Sequence, residues 1–386
     1  MIETADRIKS VEEYYFSRKL QEVRSLDSPD FPVINLGIGS PDLAPHPAVI
    51  KALNDAAVKS DVHAYQSYRG IPELRNAIAE YYARNFMVKL DAENEILPLV
   101  GSKEGIMHIT QAFVNPGDKV LVPNPGYPTY ASVANLAQAD IQYYNLKEDN
   151  NWQLDFEAIE KLDLDNVKLF WLNSPHMPTG VQYSKETLLK LIELAHKHQF
   201  LIVNDNPYSM VLNQDYQSIL SIEGAFEVAI ELNSLSKSHN MAGWRLGWCM
   251  GKPKFMNAIL KVKSNMDSGM FKPLQIAAAE ALKLQGDWFE SLNAVYKERR
   301  LLAEEILKRL GCSFDVKQQG LFLWAKLPAN MSSSEELVDH ILYEYKVFLS
   351  PGFIFGTQGR GYIRISLCAN ESQFAVALER LQKYKA

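Results

Sequence analysis

Three cysteines are scattered through 386 residues, Cys249, Cys312 and Cys368, and no two of them form a CxxC pair. That scarcity argues against a disulfide framework or a zinc site, and leaves buried thiols in a reducing compartment as the expectation. No apolar run reaches the roughly 18 residues needed to cross a bilayer. The opening Met-Ile-Glu-Thr-Ala-Asp-Arg-Ile-Lys carries charges of both signs ahead of no apolar core, unlike a secretory leader. The expected location is the cytoplasm, with no membrane partner. Basic blocks are missing too. Forty Lys and Arg against 46 Asp and Glu give a formal charge of −6, which argues against a nucleic-acid partner. Repeats, low-complexity tracts and Gly/Ser linkers are absent, so any two domains are expected to join through a continuous helix.

What the chain does have is the composition of a soluble globular protein, 47% hydrophobic and 22% charged, at a length that suits two domains. Short apolar runs alternate with helical patterns. The expected strands are Glu95–Gly101, Lys119–Pro123, Gln142–Leu146, Val167–Asn173, Phe200–Asp205, Val228–Leu232 and Arg245–Gly251. Between them Pro72–Asn85, Lys103–Phe113, Thr129–Leu136 and Lys185–His198 read as helices. Seven strands separated by such helices predict an α/β large domain with a mostly parallel sheet between helical layers. Ligands of such sheets bind at the carboxyl ends of the strands. After about Pro273 the pattern changes. Lys272–Leu310 reads as long helices broken near Gly286, followed by strands Leu321–Leu327, Phe348–Pro351 and Tyr362–Leu367. This is a small α+β domain, and the first 25 or so residues read as a helix packing on it. The boundaries expected are 1–45 for the N-terminal arm, 46–275 for the large domain and 276–386 for the small one.

The strongest chemical signal is the run Ser234-Leu-Ser-Lys-Ser-His-Asn-Met-Ala-Gly-Trp-Arg-Leu-Gly-Trp248. Lys237 has hydroxyls three residues and one residue before it, Ser234 and Ser236, and Arg245 eight residues after it. This layout suits a lysine that forms a Schiff base with an aldehyde whose phosphate arm lies close by. The amine supplies the covalent link, the guanidinium a planar fork matched to phosphate oxygens, and the serines further donors. A solvated lysine on a polar loop is the plainer reading, and the Gly-x-Arg-x-Gly-Trp tail weighs against it. These residues resemble the pyridoxal-phosphate-dependent aminotransferases of class I/II, the fold-type I enzymes. The resemblance runs in order from Gly37 to Arg364, and it implies a large cofactor domain and a small domain made of both termini.

The requirements of that cofactor can be sought one by one. A carboxylate against the ring nitrogen keeps it protonated. Asp205 follows the apolar strand Phe200–Val203 and is placed for this, although alone it would read as a helix cap or turn Asp. Tyr208 lies three residues on; in the resembled family an Asp and a Tyr at this spacing bind the ring nitrogen and ring hydroxyl, with Pro207 against one face. Ser102 and Lys103 open a helix after Gly101, a ready anion site. The loop Pro-Asn-Pro-Gly-Tyr-Pro-Thr-Tyr, 123–130, resembles the family's stacking loop, with Tyr127 over the ring. Arg364 lies in Gly361-Tyr-Ile-Arg-Ile-Ser366, where strand alternation puts Tyr362, Arg364 and Ser366 on one face. The resemblance assigns it the substrate α-carboxylate, with the backbone of Gly39 approaching the same group. It also implies that Tyr65 reaches the cofactor phosphate of a neighbouring subunit, that Ser268–Gln275 crosses the same interface, and therefore that a homodimer shares its active sites.

The implied reaction is transamination between an L-amino acid and a 2-oxo acid, with Lys237, Asp205 and Tyr208 as the catalytic residues. The stretch Lys261-Val-Lys-Ser-Asn-Met-Asp267 holds no arginine for a second carboxylate. A neutral, sulfur-containing or aromatic substrate is therefore expected, although a lysine or Arg69 leaves a diaminopimelate-type substrate open. One position departs from the family. Asn173-Ser-Pro-His-Met177-Pro-Thr-Gly180 places Met177 where an asparagine normally donates to the ring hydroxyl, and a thioether cannot donate. That departure keeps a carbon–sulfur lyase or an aminocyclopropane-carboxylate-synthase type of enzyme as the alternative. A cofactor-sensing regulator is disfavoured, because the match begins near residue 33 and leaves no room for a DNA-binding module.

Overall fold

The computed structural model describes residues 2–9 and 15–384. Seven strands form its central sheet: β1 (Ile96–Leu99), β2 (Lys119–Asn124), β3 (Asp140–Asn145), β4 (Val167–Asn173), β5 (Leu201–Asp205), β6 (Ala229–Ser234) and β7 (Gly247–Gly251). Their order is β1-β7-β6-β5-β4-β2-β3. Strands β3, β2, β4, β5 and β6 are parallel neighbours, and β7 runs antiparallel to both β6 and β1. This is the mostly parallel α/β sheet expected. Its strands are apolar almost throughout because helices cover both faces. One such helix, Lys185–His198, shows why the pattern is legible. Ser184 caps its N-terminus by accepting from the Thr187 amide at 3.1 Å, and Leu188, Leu191, Ile192 and Ala195 fall on one buried face. Gln199 ends it in the left-handed conformation.

Several expected strand boundaries move, and the run read as the strand Phe348–Pro351 is two short strands, Val347–Phe348 and Ser350–Pro351, in different sheets. The run read as Arg245–Gly251 starts at Gly247, because 242–244 forms a 3-10 turn and Arg245 sits at φ +53. The run read as Gln142–Leu146 is Asp140–Asn145, paired residue for residue with β2. The Lys272–Leu310 region is two helices, Lys272–Ala281 and Gly286–Arg309, as expected from the break near Gly286.

A second, four-stranded sheet contains β8 (Ser313–Phe314), β9 (Phe322–Lys326), β10 (Ser350–Pro351) and β11 (Tyr362–Ser366), in the order β10-β11-β9-β8, all antiparallel. Ser350, Arg364 and Trp324 lie directly opposite one another on adjacent strands. The N-terminal segment joins this part of the molecule. Ile34–Asn35 pairs in parallel with Val347–Phe348. The helix Tyr15–Leu26 is fastened through buried Lys19, which pairs with Glu22 and with Asp339 of the helix Ser334–Tyr345. Residues 10–14, part of the helix expected over the first 25, lie outside the described residues. All three cysteines are buried free thiols. Among the described residues no helix is long and apolar enough to cross a membrane.

Arg299, with a side chain only 1% exposed, ties the N-terminal segment to this second core. Its guanidinium grips Asp42 through both carboxylate oxygens, at 2.6 and 3.0 Å, and Glu371 through Nε at 2.8 Å. Breaking a buried pair costs roughly 3–5 kcal/mol, and partial exposure of both carboxylates screens part of that. Arg299→Met should lower unfolding free energy by about 2 kcal/mol, read as a lower urea midpoint; an unchanged midpoint would remove Arg299 as the tie.

Candidate active site

Turns at the carboxyl ends of β2, β4, β5 and β6 converge with the N-terminal segment and the second sheet on one cavity of about 550 Å³. Gly39, Ser102, Lys103, Tyr127, Asp205, Tyr208, Ser234, Ser236, Lys237, Arg245 and Arg364 all line it. Eleven of the twelve site residues named from sequence thus meet in one place. The exception is Tyr65, which is 92% exposed and does not line the cavity of its own chain.

Each position has a local cause. Asp205 is the last residue of β5, so its carboxylate leaves the sheet edge into the cavity. Tyr130 donates to its Oδ2 at 2.9 Å, while Oδ1 is buried with no partner. Burial pushes this carboxyl up to about 6, against the pull of Tyr130 and of Lys237. Lys237 lies in a four-residue helical turn, Leu235–Ser238, that Ser234 caps. Burial pulls its ammonium below the ordinary lysine value, and Arg364 and Arg245 add to this. Its Nζ donates to the carbonyl of Gly39. Gly39 has to be glycine: a Cβ there would meet the ring of Phe322 at 2.3 Å.

The helix Ser102–Phe113 begins at Gly101 with no side chain capping its first turn, so its leading amides face the cavity end. Gly101 lies at φ +84, and a Cβ on it would stand 2.2 Å from Nη2 of Arg245. The arginine therefore packs directly against the start of that helix. The buried guanidinium of Arg364 donates to the Gly37 carbonyl at 2.8 Å and to the Met177 sulfur at 3.2 Å. It lies 4.0 Å from the ring centroid of Phe322 and 4.6 Å from that of Phe355. Met177 is thus beside the arginine, and its own amide donates to Asn173 Oδ1 at 2.6 Å. Burial raises Tyr208 far above the phenol range, so it stays protonated and can donate.

Sequence reasoning assigned no roles to Phe16, Leu20, Ile38, Phe322 and Phe355, which form the apolar wall. Phe355 lies in the Gly352–Phe355 turn nine residues before Arg364. The others look like ordinary core residues in the sequence. Tyr130 had a signal, as the last residue of the loop that supplied Tyr127.

The charge balance selects the ligand. Four basic side chains, Lys103, Lys237, Arg245 and Arg364, line the cavity with one carboxylate, Asp205. A lining richer in basic than in acidic groups suits an anionic ligand. Comparison with known proteins then decides the family. The profile described as aminotransferase class I and II matches residues 32–381. The chain belongs to the class I and II aminotransferases. It is 37% identical to the LL-diaminopimelate aminotransferase of Natranaerobius thermophilus over 385 residues, 99% of this chain and 100% of the relative. It superposes on apo-BacF of Bacillus subtilis with TM-score 0.95 and 34% identity, covering 100% and 99% of the two chains. An aminotransferase from Staphylococcus aureus superposes with TM-score 0.90, 30% identity and 98% coverage of each.

The aminotransferase is a pyridoxal-phosphate-dependent transaminase. Its cavity fits that cofactor on three counts: the orphaned Asp205 oxygen waits for a cationic partner, Arg245 packs against the start of a helix whose leading amides can take an anion, and the lysine amine lines the same cavity. Without the cofactor Asp205 titrates near 6, above its unfolded value of 3.8. The folded apoprotein then holds an extra proton between those values, so its stability falls as pH rises through that window. Wild-type apoprotein should lose on the order of 2–3 kcal/mol relative to Asp205→Asn between pH 4 and pH 6.5, measured by urea unfolding. Parallel pH profiles for the two proteins would show that Asp205 is not raised.

Proposed function

We propose that the aminotransferase takes its amino group from an L-amino acid with a neutral, sulfur-containing or aromatic side chain. The observation that carries this is the apolar wall around Arg364. Phe322 and Phe355 flank the guanidinium, and Phe16, Leu20 and Ile38 also line the cavity. Arg364 binds the α-carboxylate, beside the backbone of Gly39, and the side chain is left against rings and aliphatic carbons.

When bound, pyridoxal phosphate supplies an electron sink for the bond broken at the substrate Cα. The residues around it divide the remaining work. Asp205, oriented by Tyr130, offers its free oxygen to the ring nitrogen. Tyr208 would donate to the ring oxygen, since Met177 has no proton to give. Tyr127 packs on the ring face. Ser102, Lys103, Ser234, Ser236 and Arg245 take the phosphate. Lys237 anchors the cofactor and serves as the proton carrier. Its lowered basicity leaves a larger share of neutral amine at Nζ to accept the Cα proton, and its reach to Gly39 holds that amine at the carboxylate end of the cavity.

A homodimer completes the proposal. Tyr65, Tyr68 and Phe271 are exposed on one face, where Gly269 packs against the backbone of Gln66 and Ser67 and Gln275 accepts from the Ile71 amide. The two segments expected to cross an interface are therefore side by side, and Tyr65 is exposed and does not line its own cavity, which suits a role at a partner's phosphate. Light scattering at twice the chain mass of 43.7 kDa is expected; a monomer in solution would remove the role of Tyr65.

A second substrate reading is favoured by the relative's name, LL-diaminopimelate aminotransferase. It needs a cation for a distal carboxylate. Arg69 is committed elsewhere in this chain, to Asn257 at 2.5 Å and the Glu93 carbonyl at 3.3 Å, and does not line the cavity. Stopped-flow mixing of holoenzyme with single amino acids should show the fastest loss of the cofactor's visible band with apolar or aromatic substrates. A response to LL-diaminopimelate alone would establish the second reading.

Two substitutions test the residue roles. Arg364→Ala should raise the amino-acid KM by about 10- to 100-fold, the worth of a charge-assisted pair of roughly 1.5–3 kcal/mol, while cofactor retention changes little. Loss of cofactor instead would assign Arg364 to the phosphate. Borohydride should fix the cofactor on Lys237, and Lys237→Ala should abolish both the fixation and turnover; mapping of the label to another lysine would refute the assignment.

A further inference from the structure

Glu231 is a fully buried carboxylate that does not line the cofactor cavity. It sits on β6, in register with Asn204 of β5. Asn204 and Asn206 flank Asp205, and the side-chain nitrogen of each donates to Glu231, at 3.0 Å to Oε2 and 3.3 Å to Oε1. The Ile219 amide donates to Oε2 at 2.8 Å and the Tyr82 hydroxyl to Oε1 at 2.9 Å. These four donors are neutral and leave the negative charge uncancelled. The Tyr82 hydroxyl already accepts from Asn233 at 2.9 Å, so its own proton is committed to Glu231. A proton on the carboxyl would find no acceptor in this set. The donors therefore suit the ionised form, against the burial that raises this group above the ordinary glutamate value.

Successive side chains of a strand point to opposite faces. Glu231 therefore grips the two neighbours of Asp205 from the face of the sheet that Asp205 itself does not use. The backbone at this strand end is held as well. The Asp205 carbonyl accepts from Asn173 at 2.6 Å, and the Asn206 amide donates to the Leu232 carbonyl at 2.8 Å. The side-chain oxygen of Asn206 accepts from Ser209, which closes the turn that carries Tyr208. Burial is the main cause that raises the Asp205 carboxyl, and the charge of Glu231 adds to it.

We propose that Glu231 is a positioning residue for the cofactor ring: it fixes Asp205 through the two flanking asparagines, and its uncancelled charge makes Asp205 a stronger partner for a cation. The inference rests on the reading that Asp205 meets a protonated ring nitrogen. A second buried carboxylate makes a bare Asp205 anion costlier, and a cation placed against Asp205 relieves that cost. Glu231 itself touches neither cofactor nor substrate and acts only through Asp205.

A competition on the holoenzyme tests this. The enzyme is equilibrated with a mixture of pyridoxal phosphate and 1-deazapyridoxal phosphate, in which a carbon replaces the ring nitrogen. The bound ratio is read by chromatography of the released cofactors. Both compounds carry the aldehyde and the phosphate, so a general loosening of the fold cancels in the ratio. Wild type should prefer pyridoxal phosphate. Glu231→Gln should lower that preference about tenfold, the worth of roughly one pKa unit, and Asp205→Asn should lower it at least as far. Tyr82→Phe removes one donor from the carboxylate and should lower the preference about threefold, the fold-change of a modest hydrogen bond. It is the milder substitution and covers the case in which Glu231→Gln fails to fold. An unchanged ratio in these two variants, beside a lowered one in Asp205→Asn, would overturn the inference and leave Asp205 at the ring. An unchanged ratio in Asp205→Asn would instead remove Asp205 from the ring nitrogen, and the role of Glu231 with it.

Discussion

The segment 34–42 is the piece of chain on which the site geometry depends. Between the second sheet and the Lys237 turn, several of its backbone groups are committed to residues far away in the chain. The Leu36 carbonyl accepts from Ser366, the Gly37 carbonyl from Arg364 and Ser350, and the Gly39 carbonyl from Lys237. Asn35 Oδ1 accepts from the amides of Gly37 and Ile38, and Asp42 is gripped by Arg299. One short strand thus touches the arginine of the second sheet and the lysine of the first. In the proposed arrangement, the spacing between the arginine that takes the substrate carboxylate and the lysine that carries the proton is set by the carbonyls of Gly37 and Gly39, two residues apart. Neither carbonyl belongs to a side chain that substitution could move separately. The two glycines allow the strand to come that close: Cβ atoms on them would meet Phe348 at 2.7 Å and Phe322 at 2.3 Å.

That dependence explains how the site was legible in the sequence. Lys237, Asp205, Tyr208, Ser102 and Tyr127 each sit within a few residues of a strand end, so strand periodicity put them near one edge of the sheet, and the family resemblance supplied their roles. Arg364 was legible for another reason, as a charged residue in an apolar strand. The apolar wall was not legible. Phe322 alternates with Trp324 on β9 exactly as a core residue would alternate, and only the register against Ser366 and Arg364 turns it into a site residue. Ile38, Phe16 and Leu20 arrive from a segment whose position is decided by contacts more than 300 residues away in the chain, such as Ile34 with Val347. Arg245 shows the opposite error. It was read as the first residue of a strand because the run after it is apolar, whereas a left-handed turn places it outside the sheet and against Gly101.

Met177 shows what a single departure from a family pattern does to a site. Its thioether lies within 3.2 Å of Arg364 Nη1, a position where a polar amide could both donate and accept. Sulfur is a weak acceptor, so the guanidinium is held there chiefly by the Gly37 carbonyl and by the faces of Phe322 and Phe355. The same substitution removes a donor from the cofactor side of the cavity and makes Tyr208 more important to the proposed handling of the ring oxygen.

The electrostatics of the cavity run in one direction without the cofactor. Burial raises Asp205 and lowers Lys237, which means that desolvation disfavours both charges even though the two groups attract each other. A group of opposite charge placed against each would reverse both penalties. The proposed arrangement supplies one for Asp205 in a protonated ring nitrogen, and it gives Arg245 and the uncapped helix start a phosphate. The stability given up by burying these groups bare is then recovered on binding, because the protein dipoles and charges are already in position and need not reorganise. The fold therefore holds a strained electrostatic state in the apoprotein. Its release is a source of cofactor affinity that does not depend on any single hydrogen bond.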